Sequence, residues 1–484
     1  MPAQAENRSL KISSIAARAA LCAMAAGALA APSRAANLDL TAQYKFDSVA
    51  YDNLALTTHG SNNHSFMADD ARLGFAVDQI DLGTLGGGDQ SMDVKVLLHA
   101  LGAPGLNTMP TPFNRVAANY PSTDFTPFLE NAFIRIHDLL GTSMIATIGR
   151  RSFKLGGGLL LDDDGAGLTG ATLLIPLPWW TMKTELFVFK TDAFSASSAP
   201  AGGYFSPAGG NSLDLFGLTL AFPTDGLWQI NELVEHDPGA ETVPGCVAGS
   251  GGGPASCTIS HALRSFTSLR YTINVGPMFF DGEGAIEKGY GYGAVDSAGN
   301  PLGRVAYNGN AEVLRAKWKQ PLYHVGEGIA RITVAHGSGY NPGGSTTDTA
   351  FFPSHGHQFD GLDRQGFGEF FGATPYSAFG GTYTPGGSPS GLPANASGID
   401  VVGAGYTPPA YHGVALDLDY YFFQADRVHN TTGTLGNEWD IGLRYDLTNS
   451  LDASITYALF KIGPAINPGG GTARKVDLEV SGRF

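Results

Sequence analysis

The chain has 484 residues, of which 66 are Gly and 28 Pro, and only 15% are charged. That density of helix breakers excludes a coiled coil or a helical bundle, and a formal net charge of −15 excludes a basic nucleic-acid binder. Beyond residue 35 no uninterrupted apolar run reaches the ~18–20 residues of a spanning helix, which excludes a polytopic helical membrane protein.

In chain order, the N-terminus comes first. Arg8, Lys11 and Arg18 lead into the apolar run Ala19–Ala31, and Ser33 and Ala35 supply small residues at the −3 and −1 positions. This is the layout of a secretory signal peptide over residues 1–35. The apolar run is short for an anchor helix, and Leu21 before Cys22 makes a poor lipobox. Cleavage leaves residues 36–484 with 25 Lys+Arg and 43 Asp+Glu, a net charge of −18. Of the two remaining cysteines, Cys246 and Cys257 flank a Gly/Ala/Ser-rich stretch, and export makes a disulfide between them the expected state.

The mature chain is governed by period two. From Leu38 to Asp47, Leu38, Leu40, Ala42, Tyr44 and Phe46 alternate with polar residues; from Asn437 to Leu447, Trp439, Ile441, Leu443, Tyr445 and Leu447 do the same. Such segments are strands with one wet and one apolar face, and ten residues is the length of a tilted strand crossing a bilayer. Eighteen segments are expected, beginning near Leu38, Asp70, Ser91, Phe128, Ser143, Leu168, Met182, Ser212, Leu227, His261, Val275, Asn310, Gly328, Ile399, His412, Gly436, Ser450 and Ala473. Val275–Lys288 is the weakest of them.

Connections alternate between short turns (Gly141–Ser143, Pro223–Gly226, Thr448–Ser450) and long loops (Val49–Asp69, Gly102–Pro127, Ala193–Asn211, Asp237–Ser260, Gly289–Gly309, Gly339–Gly398). The expected fold is therefore all-β: an antiparallel transmembrane β-barrel of about 18 strands, with short periplasmic turns, long extracellular loops and both termini at the periplasmic rim. A secreted sandwich rarely needs so many ten-residue strands, and no propeller repeat of about 40–50 residues is present. Trp179, Trp180, Trp228, Tyr323, Tyr411, Tyr420 and Tyr421 fall near strand ends, as a membrane-interface girdle would place them.

Several stretches resemble the alginate-export family of outer-membrane porins. Gly149–Leu173 has a Gly-Arg strand end, a Gly-rich loop with acids and a new strand. Val401–Arg427 resembles that family's turn and aromatic strand, Gly436–Gly463 its near-terminal hairpin, and Phe359–Phe371 a segment of its long late loop. The resemblance implies an eighteen-stranded monomeric barrel with a basic, selective lumen partly occluded by loops. Arg151 and the run Asp162–Asp164 depart from the family pattern, which weakens the case for alginate itself. The C-terminal aromatic Phe484, closing an amphipathic strand, resembles the signal read by the barrel-assembly machinery.

Charges on strands are expected to face the lumen, because a charge on the lipid face costs about 2–4 kcal/mol at midplane. This assigns Arg72, Arg135, Arg315, Lys317, Lys319, Arg331 and Arg444 to the channel, together with the acids Asp78, Glu130, Asp417, Asp419 and Asp440. The stripe Arg315–Lys317–Lys319 suggests an anion path, since guanidinium and ammonium groups recognise carboxylates; the same residues could instead brace the wall by pairing with acids. Asp162, Asp163 and Asp164 form an acidic loop, expected to be solvated, with Ca²⁺ as an alternative ligand. His355, His357, Asp360 and Asp363 are a weak metal pattern in a flexible loop. No catalytic constellation can be paired, so no enzyme and no cofactor are expected.

The expected function is an outer-membrane porin or export channel, embedded in outer-membrane lipid, that passes small or polymeric anionic solutes such as organic anions or an alginate-like polysaccharide. Gly339–Gly398 and the loop around Gly156–Gly158 are the expected constrictions. The alternative is a structural or adhesive barrel whose long loops bind a surface partner.

Overall fold

The computed structural model describes residues 37–484 apart from 55, 59–62, 86–87, 106–121, 178–180, 193–211, 238–240, 245–255, 260–261, 296–300, 323–325, 340–346, 352, 355–358, 361–362, 365, 373–395 and 429–431. The expected signal peptide, Cys246, His355, His357, Trp179, Trp180 and Tyr323 therefore lie outside the described residues.

Among the described residues eighteen antiparallel strands make one wall: β1 (Asn37–Asp52), β2 (His64–Leu85), β3 (Gly88–Gly102), β4 (Phe128–His137), β5 (Ile145–Arg151), β6 (Leu168–Leu177), β7 (Met182–Asp192), β8 (Ser212–Pro223), β9 (Leu227–Asp237), β10 (Ala262–Val275), β11 (Met278–Val295), β12 (Asn310–Leu322), β13 (Gly326–Gly337), β14 (Ile399–Thr407), β15 (Val414–Gln424), β16 (Thr434–Thr448), β17 (Leu451–Ile462) and β18 (Thr472–Arg483). Each pairs with the next. β1 also pairs with β18, from Gln43 opposite Arg483 to Asp52 opposite Arg474, so the sheet closes into a barrel. Phe484 finishes the seam: its N–H donates to the Ala42 carbonyl at 2.8 Å and its carbonyl accepts the Ala42 N–H at 2.9 Å. Closure removes the sheet edges that a bilayer could not hydrogen-bond.

Burial is inverted relative to a water-soluble protein. Large apolar side chains such as Leu38, Ile148, Val188, Leu314, Ile332, Val402 and Trp439 are exposed, whereas Asp47, His99, Asn231, Glu283 and Glu438 are buried. Alternation explains this directly: successive side chains on a strand point to opposite faces, so one set meets lipid and the other the lumen. Among the described residues no helix is long and apolar enough to cross a membrane; the barrel crosses with strands.

The eighteen strands begin close to where the alternation places them. β2 starts earlier than expected, at His64, so the first connection is shorter than Val49–Asp69. β11 is the wall strand that alternation marks least clearly, because its outward positions Gly282 and Gly284 carry no apolar side chain. It also runs on to Val295 and pairs with Pro301–Tyr307, so Gly289–Gly309 is an extended hairpin standing on the rim rather than an irregular loop. Of the expected girdle, Trp228 stacks on Tyr271 at 4.1 Å and Tyr420 lies 4.5 Å from Trp439 on the outer face. Tyr421 is the exception: adjacent residues alternate, so it points inward against Phe423.

One ion-pair triad belongs to the wall itself. On β10 the Arg264 guanidinium sits 2.7 Å from Glu235 on β9 and 3.2 Å from Glu287 on β11, with side-chain exposures of 3%, 1% and 0%. Removing one partner of such a group leaves uncompensated buried charge, a loss of about 3–5 kcal/mol. Arg264→Met is therefore expected to lower the urea midpoint of the folded barrel, read as loss of the fast-migrating unheated band; an unchanged midpoint would show that water screens the triad.

Candidate functional site: a lumen crossed by two loops

Two extracellular loops turn inward rather than outward. The first joins β5 to β6, residues 152–167. Phe153 packs 4.9 Å from Phe187 and 4.7 Å from Phe189 on β7, and Leu155, Leu159, Leu160 and Leu161 join the same buried cluster with Leu213, Leu215 and Leu233 on β8 and β9. A loop with this leucine content is driven onto the apolar inner wall as a core would be.

Its acids hold it in shape. Asp163 accepts the N–H of Phe153 and of Gly167, each at 2.8 Å. Asp162 lies 2.7 Å from the Lys154 amine and accepts the Asp164 N–H at 3.0 Å. All three acids are buried, which corrects the expectation of a solvated acidic loop: the oxygens take up hydrogen donors of the loop itself. Burial pushes the Asp163 carboxyl up to about 6, although the two backbone N–H bonds pull it down. A folded-state pKa above the ordinary value means a contribution fully present below about pH 4 and lost as pH rises through about 6. Loop seating is thus expected to loosen between those pH values, as increased current noise in single-channel records. Asp163→Asn should remove that dependence; the same noise profile in the variant would assign it elsewhere.

The loop spans the barrel. At one end the Gly157 N–H donates to Glu283 on β11 at 2.7 Å. Gly156 has φ +57, and a Cβ there would lie 2.4 Å from a Glu283 oxygen, so this approach requires glycine. A relay of hydrogen bonds supports Glu283: Thr219 to Asn231 (2.9 Å), Asn231 to Ser268 (3.0 Å) and Ser268 to Glu283 (3.0 Å), one residue on each of β8 to β11. At the other end a Cβ on Gly165 would lie 3.8 Å from both Arg72 on β2 and Glu130 on β4. β2 and β11 are nine places apart round a ring of eighteen, so the loop is a strap that reaches across the lumen, hydrogen-bonded to β11 and lying beside β2 and β4.

The second inward segment, residues 366–372, belongs to the long connection between β13 and β14. Glu438 on β16 accepts the N–H of Phe370 at 2.5 Å and of Phe371 at 3.0 Å, while Asp440 accepts the N–H of Glu369 at 3.2 Å. Lys475 on β18 pairs with Glu369 at 3.3 Å. Phe371 stacks on Phe460 at 4.8 Å with rings 3° apart, and Phe370 packs against Tyr51 at 5.8 Å. Gly368, at φ +79, lies so close to Glu438 that a Cβ would come within 2.5 Å of its carboxylate. The loop around Gly156–Gly158 and residues 366–372 of the expected Gly339–Gly398 constriction are thus folded into the lumen.

The basic residues expected in the lumen all stand on inward-facing strand positions, but in different roles. Arg72 is a brace: it lies 3.3 Å from Asp70 and 3.7 Å from Glu130, and His99 is 2.9 Å from each of those acids. Arg331 is a brace as well, 3.0 Å from Asp417 and 2.9 Å from Asp419. Arg315 is shared: Asp281, which already holds Arg270 at 2.8 Å, is 3.6 Å away, and the guanidinium lies 6.0 Å from the centre of the Phe367 ring. Lys317 and Lys319, further toward the periplasmic rim on β12, form no side-chain hydrogen bond or ion pair among the described residues. Arg135 lies over the Phe133 ring at 5.4 Å. Arg444, at the periplasmic rim, is 3.9 Å from Asp446.

Among the acids, Asp78 faces Lys95 at 3.9 Å. Glu130 joins the His99 cluster, and Asp440 is a loop anchor rather than an open lining group. Sequence reasoning missed Glu438, Glu369, Lys475 and Glu283, although each stood on a polar face or in a loop. Asp360 and Asp363 are backbone register partners in a short antiparallel pair.

No family profile matches the sequence, and no curated protein matches it. Solved structures do. Acinetobacter baumannii OccAB1 superposes with a TM-score of 0.53 at 10% identity, over 92% of this chain and 96% of that one. Pseudomonas aeruginosa OccK11 (OpdR) superposes with a TM-score of 0.50 at 12% identity, over 92% and 96%. The fold is that of an outer-membrane porin. The likeness extends nearly end to end, so the strap and the 366–372 segment sit inside a porin barrel rather than on a separate domain.

Proposed function

We propose that this porin is a selective diffusion channel for small organic anions, with selectivity set where the two inward loops narrow the lumen. The observation that carries the reading is the pair of amines Lys317 and Lys319, unpartnered among the described residues, on the same inward face as Arg315 and beside Arg331. A solute that passes Phe367 and Arg315 meets these amines next. A carboxylate is attracted at each step, and an apolar body gains contact with the Phe367 ring.

The alginate-like polymer remains the wider form of this proposal. A strap that reaches across the lumen favours short solutes, because a polyuronate would have to thread past it residue by residue. The single chain encloses its own lumen, which supports a monomeric unit. Phe484 is 80% exposed on the lipid face of the seam, a placement that suits recognition by assembly machinery.

The test is planar-bilayer recording of the refolded mature chain in a salt gradient, with a small aromatic carboxylate and then an oligouronate added. Anion-selective steps blocked by the small carboxylate at lower concentration than by the oligomer support the proposal. Block by the oligomer alone would shift it to polymer export. A folded barrel without conductance would overturn it in favour of the adhesive reading.

A further inference from the structure

The long connection that carries Phe367–Phe371 leaves and re-enters the wall through a narrow neck. On the outgoing side His336 is the penultimate residue of β13; on the returning side Asp400 is the second residue of β14. The two are register partners, with His336 Nδ1 2.7 Å from Asp400 Oδ1. Both occupy the parity of Val334 and Val402, hence the outer face just above the apolar band. Asp426, in the bend that follows β15, closes the neck from a third element: its N–H donates to the Gly398 carbonyl at 3.1 Å, and its Oδ2 accepts the Gly339 N–H at 2.9 Å. A Cβ on Gly339 would meet the Ser397 carbonyl oxygen at 2.3 Å, so the two limbs touch backbone to backbone.

One ligand atom from each of His336, Asp400 and Asp426 lies within 4.8 Å of the other two. We infer that these three side chains form a divalent transition-metal site, of zinc type, that clamps the neck of the constricting loop. The donor set decides the class of ion: an imidazole with two carboxylates suits zinc rather than magnesium or calcium, which prefer oxygen alone. Zn–N and Zn–O bonds of about 2.0–2.2 Å place tetrahedral donors roughly 3.4 Å apart, so the His336–Asp400 pair would open by about half an ångström while Asp426 draws in. The side chains are half-buried, so they have room to do so. The ion would take the position between His336 and Asp400 now spanned by their hydrogen bond. Arg427, 3.3 Å from Asp426 Oδ2 and largely exposed, would swing outward. Three elements adjacent in space but far apart in sequence would then be fixed by one ion at the root of the loop.

The experiment is calorimetric titration of zinc into the refolded mature barrel in detergent, with magnesium in parallel, and the absorption spectrum of the cobalt form. One equivalent of zinc is expected, with magnesium at least a hundredfold weaker and a cobalt spectrum of four- or five-coordinate N/O type. His336→Gln and, separately, Asp426→Asn should each weaken zinc at least tenfold while the unheated barrel still migrates fast. His355→Gln with His357→Gln should leave zinc binding intact. Absence of zinc binding in the unaltered barrel, equal affinity for magnesium, binding indifferent to His336→Gln, or binding lost with the His355 and His357 changes would each overturn the assignment. The cobalt spectrum keeps the question decidable if a variant fails to fold, since an octahedral all-oxygen signature in the unaltered protein overturns it too.

Discussion

Replacing Glu438 by Ala is expected to raise the single-channel conductance several-fold. Glu438 is fully buried in the wall of β16 and receives two consecutive backbone N–H groups of the inward segment, Phe370 and Phe371. An unsatisfied buried N–H costs about 1–3 kcal/mol. Two of them outweigh much of what the Phe371–Phe460 stack contributes, at about 0.5–1.5 kcal/mol. With a tenfold change in population for each ~1.4 kcal/mol, the seated segment becomes the minor state. Glu438→Gln should fall between, since the amide retains one acceptor and turns a donor toward the second N–H. Recordings from folded Glu438→Ala barrels that keep the parent conductance would show that aromatic packing alone seats the segment.

The second large effect is on ion preference. Lys317→Glu combined with Lys319→Glu is expected to move the reversal potential in a salt gradient from the anion side to the cation side. The double change reverses two charges that no acid offsets among the described residues. Each is worth about 1 kcal/mol to an ion 4 Å away in water and more in a narrowed lumen. Screening sets the condition: with a Debye length of about 10 Å at 0.1 M salt and 3 Å at 1 M, the swing should shrink at high salt. Arg331→Gln is the informative contrast. Its guanidinium is committed to Asp417 and Asp419, so its loss should lower stability more than it alters selectivity. A double variant with unchanged reversal potential would remove the β12 amines from the selectivity mechanism.

These two predictions differ in how far the sequence alone could reach them. Lys317 and Lys319 were legible, because alternation with Ala316 and Trp318 tells which face a side chain takes, and the barrel converts that face into a lumen. The same rule located all eighteen strands. Partnership was not legible. Arg72 and Lys317 look alike in sequence, yet one is enclosed by Asp70, Glu130 and His99 and the other by none, because register between strands depends on the stagger of the whole barrel. β11 was obscured by its outward glycines. The direction of a loop was harder still. Asp162–Asp164 reads as a solvated stretch until Leu159, Leu160 and Leu161, just before it, are seen to need an apolar surface, and the inner wall supplies one through Phe187, Leu213 and Leu233. Glu438 and residues 366–372 are about seventy positions apart, beyond the reach of any local pattern.

The strap between β2 and β11 has a mechanical consequence. Hydrogen bonds between neighbouring strands fix the circumference of a barrel but not its roundness, so an unbraced ring can flatten into an ellipse under lateral pressure from the bilayer. Gly157 is hydrogen-bonded to Glu283 and Gly165 lies beside Arg72 and Glu130, so the loop buttresses one diameter. The cross-section is left free to breathe mainly along the perpendicular axis. The segment anchored on β16 and β18 lies off that diameter, so of the two inward loops it is the one whose aperture is expected to change with membrane tension.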